Sequence, residues 1–230
     1  MKLSIAIALL FCLFTLRLQA QQKVVEKTMT VPANKKIDLN ITFGDNIKIT
    51  AWDKKEASIK MTYAVNGGRL NDALQVTFNA ENGVARIDVK FDQEMLKTGK
   101  AADCPADRSG NRYYNGDGTE IYTCHQIEYE VFVPRDADLN VTSVHCNIEL
   151  IGLTGPVQAK AIHGFVDMNW PSKKGAAFTF RSAHGDVFSD MDIKFSGEKD
   201  QHHVTGTLNG GGTNINLEAV HSNVYFRRQK

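Results

Sequence analysis

Apolar and polar residues alternate along most of this chain. From Lys36 to Thr50, Ile37, Leu39, Ile41 and Phe43 fall on one side and Asp38, Asn40 and Thr42 on the other. Beyond Gly44-Asp45-Asn46, which reads as a turn, Ile47 and Ile49 resume the pattern. Glu56 to Val65 alternates again and stops at Asn66-Gly67-Gly68. Leu74 to Phe78 and Val84 to Phe91 read as two strands joined at Asn82-Gly83. Ile127, Tyr129, Val131 and Val133 mark another strand, ended by Pro134. Period-two alternation between clusters of Gly, Asn and Asp is the signal of half-buried strands, so the pattern predicts an all-β protein. Only Gln93 to Ala102 has weak helical character, and it lacks a long apolar stripe.

Within this alternation one short phrase recurs. Val144-His145-Cys146-Asn147-Ile148 is followed by Ile162-His163-Gly164-Phe165-Val166, then by Ala183-His184-Gly185-Asp186-Val187. A fourth copy, Val220-His221-Ser222-Asn223-Val224, closes the chain. Phe43-Gly44-Asp45-Asn46-Ile47 reads as a degenerate first copy, with Gly44 at the histidine position. The histidines are separated by 18, 21 and 37 residues. The first two intervals each hold two strands and two turns, which suits a parallel β-solenoid, a β-helix-like stack of short strands with coils about 4.8 Å apart. The N-terminal strands precede that stack. The long interval holds an extra pair of strands, which Val204 to Asn209 and Asn214 to Val220 supply around Gly210-Gly211-Gly212. Alternate apolar positions should fill the interior, leaving Glu149, Asp167 and Ser189 facing water.

The first twenty residues are an address. Lys2, the apolar run from Ile5 to Leu16 and the small Ala20 predict a secretory signal cleaved after Ala20, without a lipid anchor at Cys12. Residues 21–230 then form a single domain with an insertion at 92–126. Losing Lys2 and Arg17 leaves 25 basic and 26 acidic residues, so no electrostatic footprint for nucleic acid or anionic membrane is present. No later segment has the apolar length of a transmembrane helix. The chain is expected to be exported: periplasmic, at the cell surface or extracellular. In such an oxidising compartment Cys104 and Cys124 are the natural disulfide pair, closing a 20-residue interval rich in turn formers. Cys146 then stays a single thiol.

If the repeated turns lie over one another, His145, His163 and His184 form a column along one edge, with His221 as the fourth copy. Imidazoles so placed are candidate ligands for zinc or copper, with Cys146 and Asp186 near enough in sequence to join them. The competing reading is purely conformational, because a residue before glycine in such turns is often left-handed and histidine tolerates that geometry. On that reading no cofactor is expected. His202-His203 reads as a solvated pair.

The insertion is dense in Gly, Asp and Asn. Loops of this length within one domain are commonly functional. Tyr113 and Tyr114 are its candidate contacts for an unknown surface protein or glycan. Asn115 to Glu120 is similar to a calcium loop but lacks its spaced carboxylates and flanking helices. No nucleophile elbow, phosphate loop or zinc-protease motif occurs, and no catalytic residue is assigned. Ser182 and His184 are close in sequence, but both belong to the repeat.

Several phrases together resemble the secreted bacterial putative-adhesin family of β-solenoid domains, which has no established function. They are Asn46-Ile47-Lys48-Ile49 with Ala51-Trp52-Asp53, Leu139-Asn140-Val141, Asn147-Ile148, Leu208-Asn209-Gly210-Gly211-Gly212 and Asn223-Val224. The resemblance covers most of Lys36 to Phe226 outside the insertion. That family's turns usually read Asn-Gly-Asp before an apolar residue. This chain keeps Gly185-Asp186-Val187 but sets histidine at the Asn position four times. The resemblance implies fold, with no catalytic residue to carry over. Two classes of function stand. One is a non-enzymatic, adhesin-like binding or structural module of the cell envelope. The other is a carbohydrate-active β-helix enzyme, for which Asp107, Asp117 and Glu120 are the available carboxylates, or a metal-binding protein built on the histidines.

Overall fold

The computed structural model describes residues 22–229 except 109 and 201, with the backbone alone at 197–200. The expected signal segment, 1–20, lies outside the described residues. The N-terminal part supplies β1 (Lys23–Thr30), β2 (Lys36–Trp52), β3 (Glu56–Val65), β4 (Leu74–Glu81) and β5 (Val84–Phe91). Asn82 and Gly83 both take positive φ, the geometry that a two-residue hairpin between β4 and β5 needs. One helical turn, α1 (Gln93–Leu96), opens the insertion, with Asp92 accepting the amides of Glu94 and Met95. Further on, β6 (Asn111–Tyr114) and β7 (Glu120–Thr123) form a separate antiparallel pair.

Regular structure resumes with β8 (His125–Pro134) and β9 (Asp138–Ile151). The repeats then give β10 (Val157–Ala161), β11 (Val166–Trp170), β12 (Ala176–Ser182) and β13 (Val187–Ser189). After them come β14 (Lys194–Asp200), β15 (His203–Leu208), β16 (Thr213–Ala219) and β17 (Val224–Arg228). Among the described residues, no helix is long and apolar enough to cross a membrane.

β2 and β9 run unbroken through the turns expected at Gly44 and His145, so each strand serves two faces. Their first halves pair with each other and carry β5 on one side and β10 on the other. Their second halves pair with each other between β8 and β11. From β9 the stack continues in parallel register as β10–β16–β12 on the first face and β11–β17–β13 on the second. Antiparallel strands close the ends: β1–β3–β8, β4–β5 and β12–β15–β14. The sheet is therefore mixed, and the purely parallel solenoid expected from the repeat is corrected. Parallel pairing is confined to the coils, while chain reversals at both ends produce the antiparallel pairs.

Inward positions stack into columns. Ile37, Leu139, Val157, Ile215 and Phe178 share one register, and Leu39, Val141, Ala159, Leu217 and Phe180 the next. On the second face Ile47, Ile148, Val166, Val224 and Val187 align. All but Val187 are buried in one continuous core, along with Trp170, Met168 and Phe226. Each buried Val, Leu, Ile, Met or Phe among them contributes about 1.5–3 kcal/mol, so every coil adds to the core of its neighbours. Glu149 and Asp167 lie on the outer face, half-buried, and Ser189 is exposed.

Spatial order departs from chain order. β16 and β17, bearing the fourth copy, are inserted between the second and third copies. The chain leaves a one-strand gap between β10 and β12, adds the β14–β15 hairpin outside β12, and then returns to fill the gap. The first copy is corrected too. Phe43, not Gly44, sits opposite His145, because the register shifts between Phe43 and Asn46 and two residues there oppose Cys146 alone.

Candidate functional site

In every coil one corner residue follows the inward series by two positions: Phe43 after Ile41, His145 after Ser143, His163 after Ala161, His221 after Ala219 and His184 after Ser182. Amides bind these corners together. His163 donates to the Val144 carbonyl at 2.7 Å, His221 to Ile162 at 2.9 Å and His184 to Val220 at 2.9 Å. The side chains stack ring on ring. Centroids lie 5.1 Å apart for Phe43–His145, 4.8 Å for His145–His163, 4.6 Å for His163–His221 and 4.9 Å for His221–His184. Successive planes are within 10° of parallel. The expected histidine column exists, with His221 third and His184 at its end.

All four histidines are exposed. None has positive φ, so the left-handed geometry invoked for them does not explain their recurrence. The glycines beside them are required by close approach instead. A Cβ on Gly164 would lie 2.1 Å from the Cys146 carbonyl oxygen, and one on Gly185 would lie 2.5 Å from that of Ser222. Partial desolvation lowers His145 below the ordinary imidazole value, and the neighbouring His163 adds to the effect.

Among the described residues, no group of three or more His, Cys, Asp and Glu is placed to hold a metal ion. Cys146 does not join the column. It is buried beneath the corner, where a Cβ on Gly44 would meet its Sγ at 3.0 Å, and burial pushes its thiol up to about 12. His202 is not simply solvated: its Nδ1 lies 2.8 Å from the Gly185 carbonyl.

The insertion sits at the Phe43 end of the column. The Cys104–Cys124 disulfide forms as expected. Arg108 reaches Asp45 at 3.2 Å, Arg69 reaches Asp103 at 2.7 Å, and Asn66 bonds to the backbone of both Tyr122 and Cys124. Leu96 and Ile121 are buried beneath. On top stands the β6–β7 hairpin, with Tyr113 38% and Tyr114 61% exposed. Tyr113 lines a recess of about 170 Å³ together with Phe43, Phe91, His125, Gln93 and Asn111. Phe43 lies 5.1 Å from Phe91 and 6.2 Å from His125. Burial lowers His125 against the opposing pull of Asp45, with His145 and Arg108 lowering it further.

Sequence reasoning found Tyr113 but missed Phe43, Phe91 and His125, which come from three distant segments. The parity of Ile37, Leu39, Ile41 and Phe43 was the signal for the first of them. The candidate enzyme carboxylates do not converge. Glu120 pairs with Arg112 at 3.3 Å, Asp117 accepts the Thr119 amide at 2.8 Å, and Asp107 lines a different recess with Asp45 and Arg108. The Thr119 amide holds the Asp117 carboxyl low. Ser182 is buried and its hydroxyl donates to the Ser222 carbonyl.

No protein-family model and no curated protein matches this chain. Among solved structures it is similar to a putative cell adhesion protein from Clostridium sporogenes, with a TM-score of 0.53 at 12% identity over 91% of this chain and 100% of that one. A putative adhesin from Bacteroides fragilis aligns over 91% of this chain and 99% of its own, at 9% identity and a TM-score of 0.28. A putative adhesin from Parabacteroides distasonis aligns over 88% and 69%, at 10% identity and 0.26. The first likeness is one of fold, over nearly the whole length of both chains.

Proposed function

We propose that this chain is an exported, non-enzymatic, adhesin-like module of the cell envelope that recognises a glycan through its insertion. The observation that carries the reading is Tyr113, set on a disulfide-pinned hairpin and lining a recess of aromatic rings, with Tyr114 exposed on the other face of the same strand. Tyr113, Phe43 and Phe91 offer apolar ring surface, while Gln93, Asn111 and His125 offer hydrogen-bonding groups beside it. Apolar walls with a few placed polar groups are the usual make-up of a small-ligand site. The disulfide supports an oxidising, extracytoplasmic setting. The fold likeness to a cell adhesion protein supports the class of role, and on this reading the parallel coils are a solenoid scaffold for the recess.

The test compares the parent with Tyr113→Ala plus Tyr114→Ala on an array of envelope glycans. Both side chains are solvent-exposed, so the variant should keep the parent's melting temperature. Its glycan binding should fall about tenfold or more, the loss of an aromatic anchor costing on the order of 2 kcal/mol. Unchanged binding would reject the hairpin as the contact. Binding of a surface protein but no glycan would replace the ligand class, and turnover of a glycan would favour the enzyme reading.

A further inference from the structure

Nothing in the backbone explains why one corner residue is histidine in four consecutive coils. The corners have ordinary negative φ, the four imidazoles are exposed, and Phe43 shows that a ring without nitrogen also stacks at this position, 5.1 Å from His145. What the four positions share beyond ring shape is imidazole chemistry, presented as a row of ring edges at a regular spacing.

We infer that this row is a binding site for divalent transition metals of the zinc and copper class, taken up by neighbouring pairs of rungs. A nitrogen lies about 2.0–2.1 Å from zinc, so two on one ion are at most about 4.1 Å apart, and about 3.4 Å apart at a tetrahedral angle. Ring centroids 4.6–4.9 Å apart with planes within 8° of parallel do not converge on one point as they stand. Two exposed rings meet the requirement by leaning together at their tips through small side-chain rotations. Three cannot, because the middle ring leans toward only one neighbour. This agrees with the absence of any three-ligand cluster among the described residues. Filling the column with two ions pairs His145 with His163 and His221 with His184, whereas an ion on the closest pair, His163 with His221 at 4.6 Å, leaves the outer two rungs unmatched. Each pair is an open site completed by water, and imidazole with water suits borderline metals rather than calcium or magnesium. Cys146 is excluded by its burial. The inference is independent of the glycan reading: it concerns the repeat corners rather than the insertion.

The experiment is calorimetric titration of the untagged full chain with zinc chloride and, separately, copper chloride. The parent should take up about two ions, one for each pair of rungs. His163→Phe plus His221→Phe leaves every rung a ring, as Phe43 already does, but removes one nitrogen ligand from each pair. Uptake should weaken about tenfold or more, while the melting temperature without metal stays that of the parent. His203→Ala, off the column, should keep both ions. No uptake by the parent would overturn the inference, and so would full uptake by the double phenylalanine variant. Loss of the Tyr113 and Tyr114 contact would leave this result untouched, so failures of the two readings are distinguishable.

Discussion

The coil stack and the insertion are held by different physics. In the stack each strand buries side chains against the strands above and below, and the same positions recur in every coil. Trp170, Met168, Phe180 and Phe226 are fully buried there. In the insertion, polar pins and one cross-link carry much of that load. Arg108 on Asp45, Arg69 on Asp103, Asn66 on Tyr122 and Cys124, and the Cys104–Cys124 bond fasten a loop with few buried side chains of its own. A region held at its base leaves its outer surface free of packing duties, and there the two exposed tyrosines stand. The stack has no such freedom on its inner face, but its corners do.

The contrast breaks most sharply in the core. Trp170→Ala should cost about 3–5 kcal/mol in chemical denaturation, since the ring is fully buried and its Nε1 donates to the Lys174 carbonyl. Cys104→Ser plus Cys124→Ser should cost about 2–4 kcal/mol. Its signature should be new proteolytic cuts between residues 100 and 120, with the stack still resistant. Cuts spread through β9 to β12 would show that the insertion holds the stack. Gly164→Ala should cost about 1–3 kcal/mol by pushing neighbouring coils apart at the corner, measured as a lowered denaturation midpoint. At the small end, Cys146 should resist maleimide at pH 8 in the folded protein and react fully in denaturant. Its buried thiol, pushed up to about 12, remains protonated well above that pH. Labelling of the folded protein would place Cys146 at the surface.

The inward strands were legible because burial on one face imposes strict alternation, as from Ile37 to Phe43 and from Ile127 to Val133. β1 and β14 were not foreseen. They are edge strands, and the pattern of β1 is nearly all exposed, so partner hydrogen bonds rather than alternation set its conformation. The position of β16 was hidden for another reason. A 37-residue interval announces extra strands but not the gap they fill. Of the candidate site, the four histidines were visible as a repeat, while their order and the place of Phe43 depended on that gap and on the register shift at Gly44-Asp45. The recess lining was invisible, because Phe43, Phe91 and His125 meet only once three separate strands are laid side by side.

The stacking order of the corners depends on the fourth copy lying between the second and third. Paired cysteines in place of corner histidines measure this directly, since a disulfide needs Cα atoms about 4.4–6.8 Å apart. Under mild oxidation, His163→Cys with His221→Cys should cross-link, and so should His221→Cys with His184→Cys. His163→Cys with His184→Cys, two rungs apart, should not. Ready cross-linking of that last pair, with none between positions 163 and 221, would contradict the order of the coils.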